Sequence, residues 1–271
     1  MPPVRSRDGT PIASRRSGDG PPLVLVHGTA SDHSRWAPVL PALEQRWSVH
    51  AVDRRGRGSS GDSGDSGDAA TYAPEREFED VTAVADALGE PVTVFGHSYG
   101  ALCTLEAARL SHSIATLILY EPSFDTDGAE VYPLEVVERL ETLLLAGDRD
   151  EVVATTAREV AGVPPDAVAA FRRSQPTAWR ARTAAAHTIP RELRAAKTYR
   201  FDPERFRDLA VPTLLLAGSE SPRAYRRATE AVDGALPGSR IVVLPGQGHT
   251  AMDTAPDLVT SEVIRFLGAR S

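Results

Sequence analysis

The chain has 271 residues, of which 41% are hydrophobic and 25% charged, values typical of a globular protein with one α/β domain and an insertion. The formal net charge of −7 argues against nucleic acid as a partner. No stretch reaches the ~20 apolar residues of a membrane span and the N-terminus lacks an apolar signal region, so we predict a cytoplasmic protein, monomeric or homodimeric.

Short apolar runs alternate with helical patterns along most of the chain. Asp8-Gly9 marks the turn of a first hairpin. The predicted strands that follow are PPLVLVHG, WSVHAV, VTVFG, IATLILY, VPTLLLAG and SRIVVL. The predicted helices between and after them include REFEDVTAVADALG, ALCTLEAARL and the C-terminal APDLVTSEVIRFLGAR. This alternation predicts a mostly parallel α/β sheet flanked by helices.

Two segments interrupt the alternation. Gly58–Ala70 is a Gly/Ser/Asp repeat with almost no apolar residue, and it predicts a mobile surface loop. Residues 122–209 contain several helical patterns and fall between two predicted strands. We therefore predict a core domain of residues 1–121 and 210–271, with residues 122–209 inserted as a helical cap.

The sequence Gly96-His97-Ser98-Tyr99-Gly100 lies where a predicted strand meets a predicted helix. A G-x-S-x-G pattern in that position is typical of a nucleophile elbow, in which the glycines make room for a sharp turn. The exposed serine then sits at a helix N-terminus, which favours negative charge. The alternative is an ordinary glycine-rich turn with an unreactive serine.

A nucleophilic serine needs a base, and His249 is the best-placed histidine. It lies between the last predicted strand and the C-terminal helix, in a loop that contains Gly246 and Gly248. Loops at the carboxyl edge of a parallel sheet are where sites in α/β proteins gather. His249 is therefore predicted to face Ser98.

Two carboxylates follow predicted strands between Ser98 and His249 and could orient the histidine. Glu220 follows the penultimate strand, and Glu121 follows the strand before it. The chain order serine, acid, histidine is that of the α/β type of triad. We predict Glu220 as the acid, with Glu121 as the alternative.

Backbone amides at two strand ends are candidates for an oxyanion hole. The amide of Tyr99 follows Ser98 directly. The tight turn predicted at His27-Gly28 would leave the amide of Thr29 free to donate to developing negative charge.

These motifs, in this order, resemble those of the α/β-hydrolase superfamily over nearly the whole chain. The motifs on which this resemblance rests are the turn His27-Gly28, the sequence DRRGRG at Asp53–Gly58, the sequence GHSYG and the late sequence GQGH. The likeness is to small, capped, serine-dependent members, and it implies an eight-stranded sheet, a helical cap and no cofactor. Serine rather than aspartate at the elbow argues against dehalogenases and epoxide hydrolases of this fold. The sequence departs from the commoner pattern in having glutamate as its candidate acid.

The resulting hypothesis is a serine hydrolase that cleaves an ester, thioester or lactone of a medium-sized apolar small molecule. The predicted substrate-binding residues are His27, Gly28, Phe124, Tyr132, Trp179 and His187. A lyase, cyclase or acyl transferase on the same fold is the first alternative, because fold does not fix function. A ligand-binding protein without catalytic activity is the second.

Overall fold

The structure, a computed structural model, describes residues 2–62 and 72–269. Seven strands form its main sheet: β3 (Ser14–Ser17), β4 (Pro22–Val26), β5 (Ser48–Val52), β6 (Val92–His97), β7 (Ile114–Tyr120), β8 (Thr213–Gly218) and β9 (Ser239–Leu244). Their order is β3-β5-β4-β6-β7-β8-β9. Strands β4 to β9 are parallel, and β3 pairs with β5 in antiparallel fashion. The mostly parallel sheet is thus as predicted.

The main sheet has seven strands in the described residues, whereas the resemblance implied eight. The hairpin predicted around Asp8-Gly9 forms as β1 (Val4–Arg5) and β2 (Pro11–Ile12), but this pair makes a separate two-stranded sheet. The chain turns after β2 so that β3, not the hairpin, pairs with β5.

Both faces of the central strands are buried. All residues of β4 and β8 are buried, as their continuous apolar sequences predict. Alternate residues of β4 contribute to two apolar clusters, with Val24 and Val26 in one and Leu23 and Leu25 in the other. The first cluster includes α2 (Pro74–Asp86), α3 (Tyr99–Ala107) and α9 (Arg223–Ala235), and the second includes α1 (Leu40–Leu43), α10 (Ala251–Thr254) and α11 (Pro256–Gly268).

Between β7 and β8 the chain is helical. The helices are α4 (Leu134–Leu145), α5 (Arg149–Thr155), α6 (Pro165–Ser174), α7 (Pro176–Ala184) and α8 (Thr188–Thr198), with a π-helical turn at Thr156–Val160. We call residues 122–209 the helical insertion. Its predicted helical character is therefore observed.

Buried ion pairs join α8 to the core. Arg54, just after β5, donates to both carboxylate oxygens of Glu77 at 2.7 and 2.8 Å and lies 3.0 Å from Glu192 of α8. Glu192 also pairs with Arg57. The side chains of all four residues are at most 2% exposed. The insertion is thus attached to the core through charges that have no access to water.

Only part of the predicted Gly58–Ala70 loop can be compared with the structure, because residues 63–71 lie outside the described residues. The first part is not a free surface loop. The amide of Gly61 donates to Pro11 O at 2.8 Å, and the carboxylate of Asp62 accepts from Arg191 at 2.8 and 3.0 Å. These contacts hold the beginning of the segment between the N-terminal hairpin and the insertion.

None of the helices within residues 2–62 and 72–269 is long and apolar enough to cross a membrane.

Candidate active site

Ser98 occupies a sharp turn between β6 and α3. Its backbone has φ 57° and ψ −124°, a conformation that residues with a side chain rarely adopt. A Cβ atom at Gly96 would lie 2.6 Å from Thr104 Oγ1, and one at Gly100 would lie 2.3 Å from His27 O. Neither contact can be relieved without moving the elbow or β4, so glycine is required on both sides of Ser98.

His249 and Glu121 form a hydrogen-bonded pair at the carboxyl edge of the sheet. His249 Nδ1 lies 2.6 Å from Glu121 Oε2. The other carboxylate oxygen accepts the Gly218 amide at 2.7 Å, and the Glu121 side chain is fully buried. Glu121 directly follows β7 and has φ 49°, a left-handed turn. Both oxygens of this carboxylate are therefore fixed, one by β8 and one by the histidine.

The prediction that Glu220 is the partner of His249 is wrong. Glu220 is exposed, and its carboxylate accepts from the neighbouring Ser219 hydroxyl at 3.1 Å. Its backbone turns with the end of β8, since its amide donates to Gln247 O at 2.8 Å. The alternative acid, Glu121, takes the position beside the histidine.

The loop that carries His249 is fixed from two sides. His97 Nε2 donates to His249 O at 2.8 Å, and the hydroxyl of Tyr120 donates to Gly248 O. The ring of Tyr225 stacks on the imidazole with a centroid distance of 3.9 Å and an angle of 18°. Burial and the nearby charge of Glu121 raise the pKa of Tyr225, so this ring is a neutral phenol at ordinary pH.

Ser98 and His249 line the same cavity, which has a volume of about 170 Å³. The predicted residues Gly28, Thr29 and Tyr132 also line it. Much of the remaining wall is apolar and comes from the helical insertion: Val153, Ala157, Val160, Ala161, Val163 and Leu193. The cavity therefore lies between the carboxyl edge of the sheet and the insertion.

Four predicted substrate-binding residues do not line this cavity. Phe124 is fully buried against Tyr199 and Phe201. Trp179 Nε1 donates to Asp150, and His187 lies 3.3 Å from Asp62. The fourth is His27, whose fully buried side chain has a structural role described below. Aromatic and histidine side chains of an insertion can serve its own packing, which the sequence alone does not distinguish from contact with a ligand.

The two predicted oxyanion-hole amides are both at the cavity edge of the sheet. Tyr99 is the first residue of α3, and amides of a helical first turn have no partner within the helix. The amide of Thr29 donates to no backbone carbonyl within the parts of the chain that are described. A Cβ atom at Gly28, the residue before Thr29, would lie only 2.9 Å from Ser98 Cβ. The turn that contains Thr29 therefore lies close to the elbow.

Sequence analysis missed three charged residues that line the cavity. Arg35 comes from the 3₁₀ turn His33–Trp36, Arg182 from α7 and Asp253 from α10. Each lies in a polar stretch without a motif, and only the fold brings the three elements together.

His27 and His97 are neutral in the folded protein. Burial, together with the charge of Arg54, lowers the pKa of His27, and burial lowers that of His97, with smaller contributions from the neighbouring His249 and Arg35. His27 Nδ1 donates to Gly28 O at 2.7 Å while Nε2 accepts from the Arg54 amide at 3.2 Å. Protonation of His27 Nε2 would place a second N–H donor against the N–H of Arg54, and the hydrogen bond between them would be lost.

Stability is therefore expected to fall on acidification. Below the usual histidine pKa of about 6.5, the unfolded chain binds protons that the folded chain does not, so the free energy of unfolding decreases. Between pH 7.5 and 5.5 the two histidines contribute a loss of about 2 to 3 kcal/mol, measured by urea unfolding. His27→Gln should reduce this pH dependence, and His112→Gln, at an exposed position, should not. A stability that is constant or rises toward pH 5.5 would contradict the argument.

A mostly parallel sheet with a serine elbow after a central strand and a histidine after the last strand is the arrangement of an α/β hydrolase. The model of the alpha/beta hydrolase family matches residues 23–262. The chain therefore belongs to the alpha/beta hydrolase family, and its similarity to hydrolases and esterases makes it an enzyme of this class. Within the described residues, no group of three or more His, Cys, Asp or Glu side chains could hold a metal ion.

Individual relatives cover almost the whole chain. An alpha/beta hydrolase from Sphaerobacter thermophilus is 37% identical with a TM-score of 0.81, covering 98% of this chain and 99% of that one. An esterase from Rhodococcus sp. ECU1013 is 26% identical with a TM-score of 0.70, covering 98% of both chains. A 2-(acetamidomethylene)succinate hydrolase from Mesorhizobium japonicum is 26% identical over 94% of this chain and 91% of its own length.

Proposed function

We propose that the protein is a serine hydrolase that cleaves an ester, thioester or lactone bond through an acyl-enzyme intermediate. The observation that carries this proposal is the hydrogen-bonded pair of His249 and Glu121 at 2.6 Å, because its histidine lines the same cavity as Ser98. The similarity to an esterase and to a hydrolase of a succinate derivative agrees with acyl chemistry.

In this mechanism Ser98 is the nucleophile and His249 the general base. The hydrogen bond from Nδ1 to Glu121 fixes the tautomer, so that the unprotonated Nε2 accepts the proton of the Ser98 hydroxyl. Ser98 Oγ bonds to the carbonyl carbon, and the carbonyl oxygen becomes an oxyanion. The buried carboxylate of Glu121 stabilises the imidazolium that forms at this step.

The oxyanion is stabilised by the amides of Thr29 and Tyr99. Within the described residues the Thr29 amide donates to no backbone carbonyl, and Tyr99 is in the first turn of α3, where amides have no partner within the helix. When the tetrahedral intermediate collapses, the bond to the leaving alcohol or thiol breaks and His249 gives that group its proton. Water then loses a proton to His249, attacks the acyl-enzyme and releases the acid together with free Ser98.

The helical insertion acts in this proposal as a cap that supplies the binding surface. Its apolar wall, which includes Val153, Val160 and Leu193, suits an acyl group of modest length. The cap role agrees with the position of the cavity between the insertion and the sheet edge.

The experiment is labelling with a fluorophosphonate, which reacts with serines activated by a neighbouring base. We expect one adduct, located on Ser98 by peptide mass spectrometry, and hydrolysis of 4-nitrophenyl esters of short and medium acyl chains. His249→Ala should lower the labelling rate severely. Glu220→Gln provides the matched control because this side chain is exposed and does not contact the histidine. An unlabelled Ser98 in folded protein would overturn the proposal.

A further inference from the structure

Arg35 brings an incompletely paired guanidinium to the wall of the cavity. Its side chain is 10% exposed, and Nη1 donates to Asp253 Oδ2 at 2.5 Å. Nη2 is buried and has no hydrogen-bond partner among the described residues. A buried charged donor without a partner is costly, so a site where one persists points to a group that binds there.

Arg182 of α7 also lines this cavity. Its guanidinium lies over the ring of Phe171 at 4.5 Å, and it has no ion-pair partner within residues 2–62 and 72–269. Burial and the charge of Arg35 lower the pKa of Arg182, while the charges of Asp32 and Asp253 act in the other direction. The two arginines thus line one cavity of about 170 Å³.

The charges that line the cavity do not balance. Arg35 and Arg182 carry two positive charges, and Asp253 supplies one negative charge. Asp32 lies nearby, but it does not line the cavity, and its side chain accepts the amide of Ser34 at 2.8 Å. Among the charged side chains that line the cavity away from His249, the two arginines outnumber the one carboxylate.

We propose that Arg35 and Arg182 form a carboxylate subsite, so that the substrate carries a carboxylate in addition to the acyl bond that is cleaved. Guanidinium groups bind carboxylates with paired, charge-assisted hydrogen bonds, and both arginines line the cavity that Ser98 and His249 also line. One arginine comes from the core and the other from the helical insertion, so a bound carboxylate would bridge the two. This inference rests on the proposed function and specifies its substrate class.

The kinetic test compares two substrates of nearly equal size, the 4-nitrophenyl monoester of adipate and 4-nitrophenyl hexanoate. We expect kcat/KM to favour the charged ester by about tenfold or more in the wild type. In Arg182→Gln the preference for the charged ester should be lost, so that the ratio of the two kcat/KM values falls to about unity. Arg180→Gln is the matched control, because Arg180 is an exposed arginine on the same helix and bonds only to Thr177 among the described residues.

A binding measurement separates this inference from the proposed function. In the Ser98→Ala protein, calorimetry should show that monomethyl adipate binds at least about tenfold more tightly than dimethyl adipate. Arg182→Gln in that background should remove the preference, and Arg180→Gln should preserve it. Equal binding of the two esters overturns the carboxylate subsite whether or not the wild type hydrolyses esters. Preferential binding without any turnover or fluorophosphonate labelling supports the subsite and overturns the serine hydrolase proposal.

Discussion

Replacing Ser98 with alanine is expected to reduce kcat for ester hydrolysis by about 10⁶-fold. The substitution removes the nucleophilic oxygen, and the remaining groups can act only on water. The fold should persist, because the elbow is fixed by Gly96 and Gly100 and by the Ser98 amide, which donates to Tyr120 O at 2.9 Å. Initial rates on a 4-nitrophenyl ester test the loss of kcat, and the midpoint of urea unfolding tests whether the fold persists.

Ser31→Ala is the matched control for this experiment, because Ser31 lines the same cavity but lies outside the elbow. Its effect on kcat should be far smaller. His249→Ala should come close to the loss in Ser98→Ala, and the double variant should be little slower than either single variant, because the two groups act as a unit. Substantial turnover by folded Ser98→Ala protein would show that another group attacks the substrate.

Glu121→Gln is expected to reduce kcat by about 10⁴-fold. The amide has nearly the shape of the carboxylate, so the hydrogen bond from the Gly218 amide can remain. It has no negative charge to stabilise the imidazolium, and its NH₂ group favours the wrong tautomer of His249. Steady-state kinetics at one pH measures the loss.

Glu220→Gln is the matched control for the acid, because both glutamates follow neighbouring strands of the same sheet edge. Its activity should be near that of the wild type, since its carboxylate contacts Ser219 and not His249. A severe loss in Glu220→Gln with an active Glu121→Gln would overturn the role of the observed pair. Near-normal activity of both would mean that His249 needs no acid.

The sheet and the elbow could be predicted because their signals are local. Continuous apolar runs such as PLVLV and TLLLAG identify buried parallel strands, and two glycines around Ser98 identify a turn that tolerates no side chains. The histidine could be predicted for a related reason, since a loop after the last strand reaches the same edge as the elbow.

The choice between the two glutamates could not be made from sequence, because it depends on backbone directions at the strand ends. Glu121 adopts a left-handed turn that carries its carboxylate beneath the Gly218 amide, whereas Glu220 continues into an exposed turn. Ser221, the residue after Glu220, is buried in that turn. The buried side chain in the turn after β8 is thus the hydroxyl of Ser221 and not a carboxylate. The carboxylate beside His249 comes instead from Glu121, at the end of the adjacent strand β7.

The residues of the cavity wall were the least predictable part of the site. Arg35 and Arg182 are 147 positions apart by their numbers, and neither belongs to a motif. Their presence in one cavity wall depends on where the assembled insertion places α7 relative to the 3₁₀ turn. Conversely, Phe124 and Trp179 are aromatic residues of the kind that line binding pockets, but in this protein they pack against its own side chains.

The buried charges between α8 and the core restrict how the cavity can open. Lifting α8 would separate Glu192 from Arg54 and Arg57 and leave unpaired charge in a dry interior, at a cost of about 3 to 5 kcal/mol. Among the described residues, α6 and α7 have no such buried ion pair with the core, and each buries a single side chain, Val168 and Trp179 respectively. We therefore expect the cavity to open by movement of α6 and α7 while α8 stays in place, and this movement would carry Arg182.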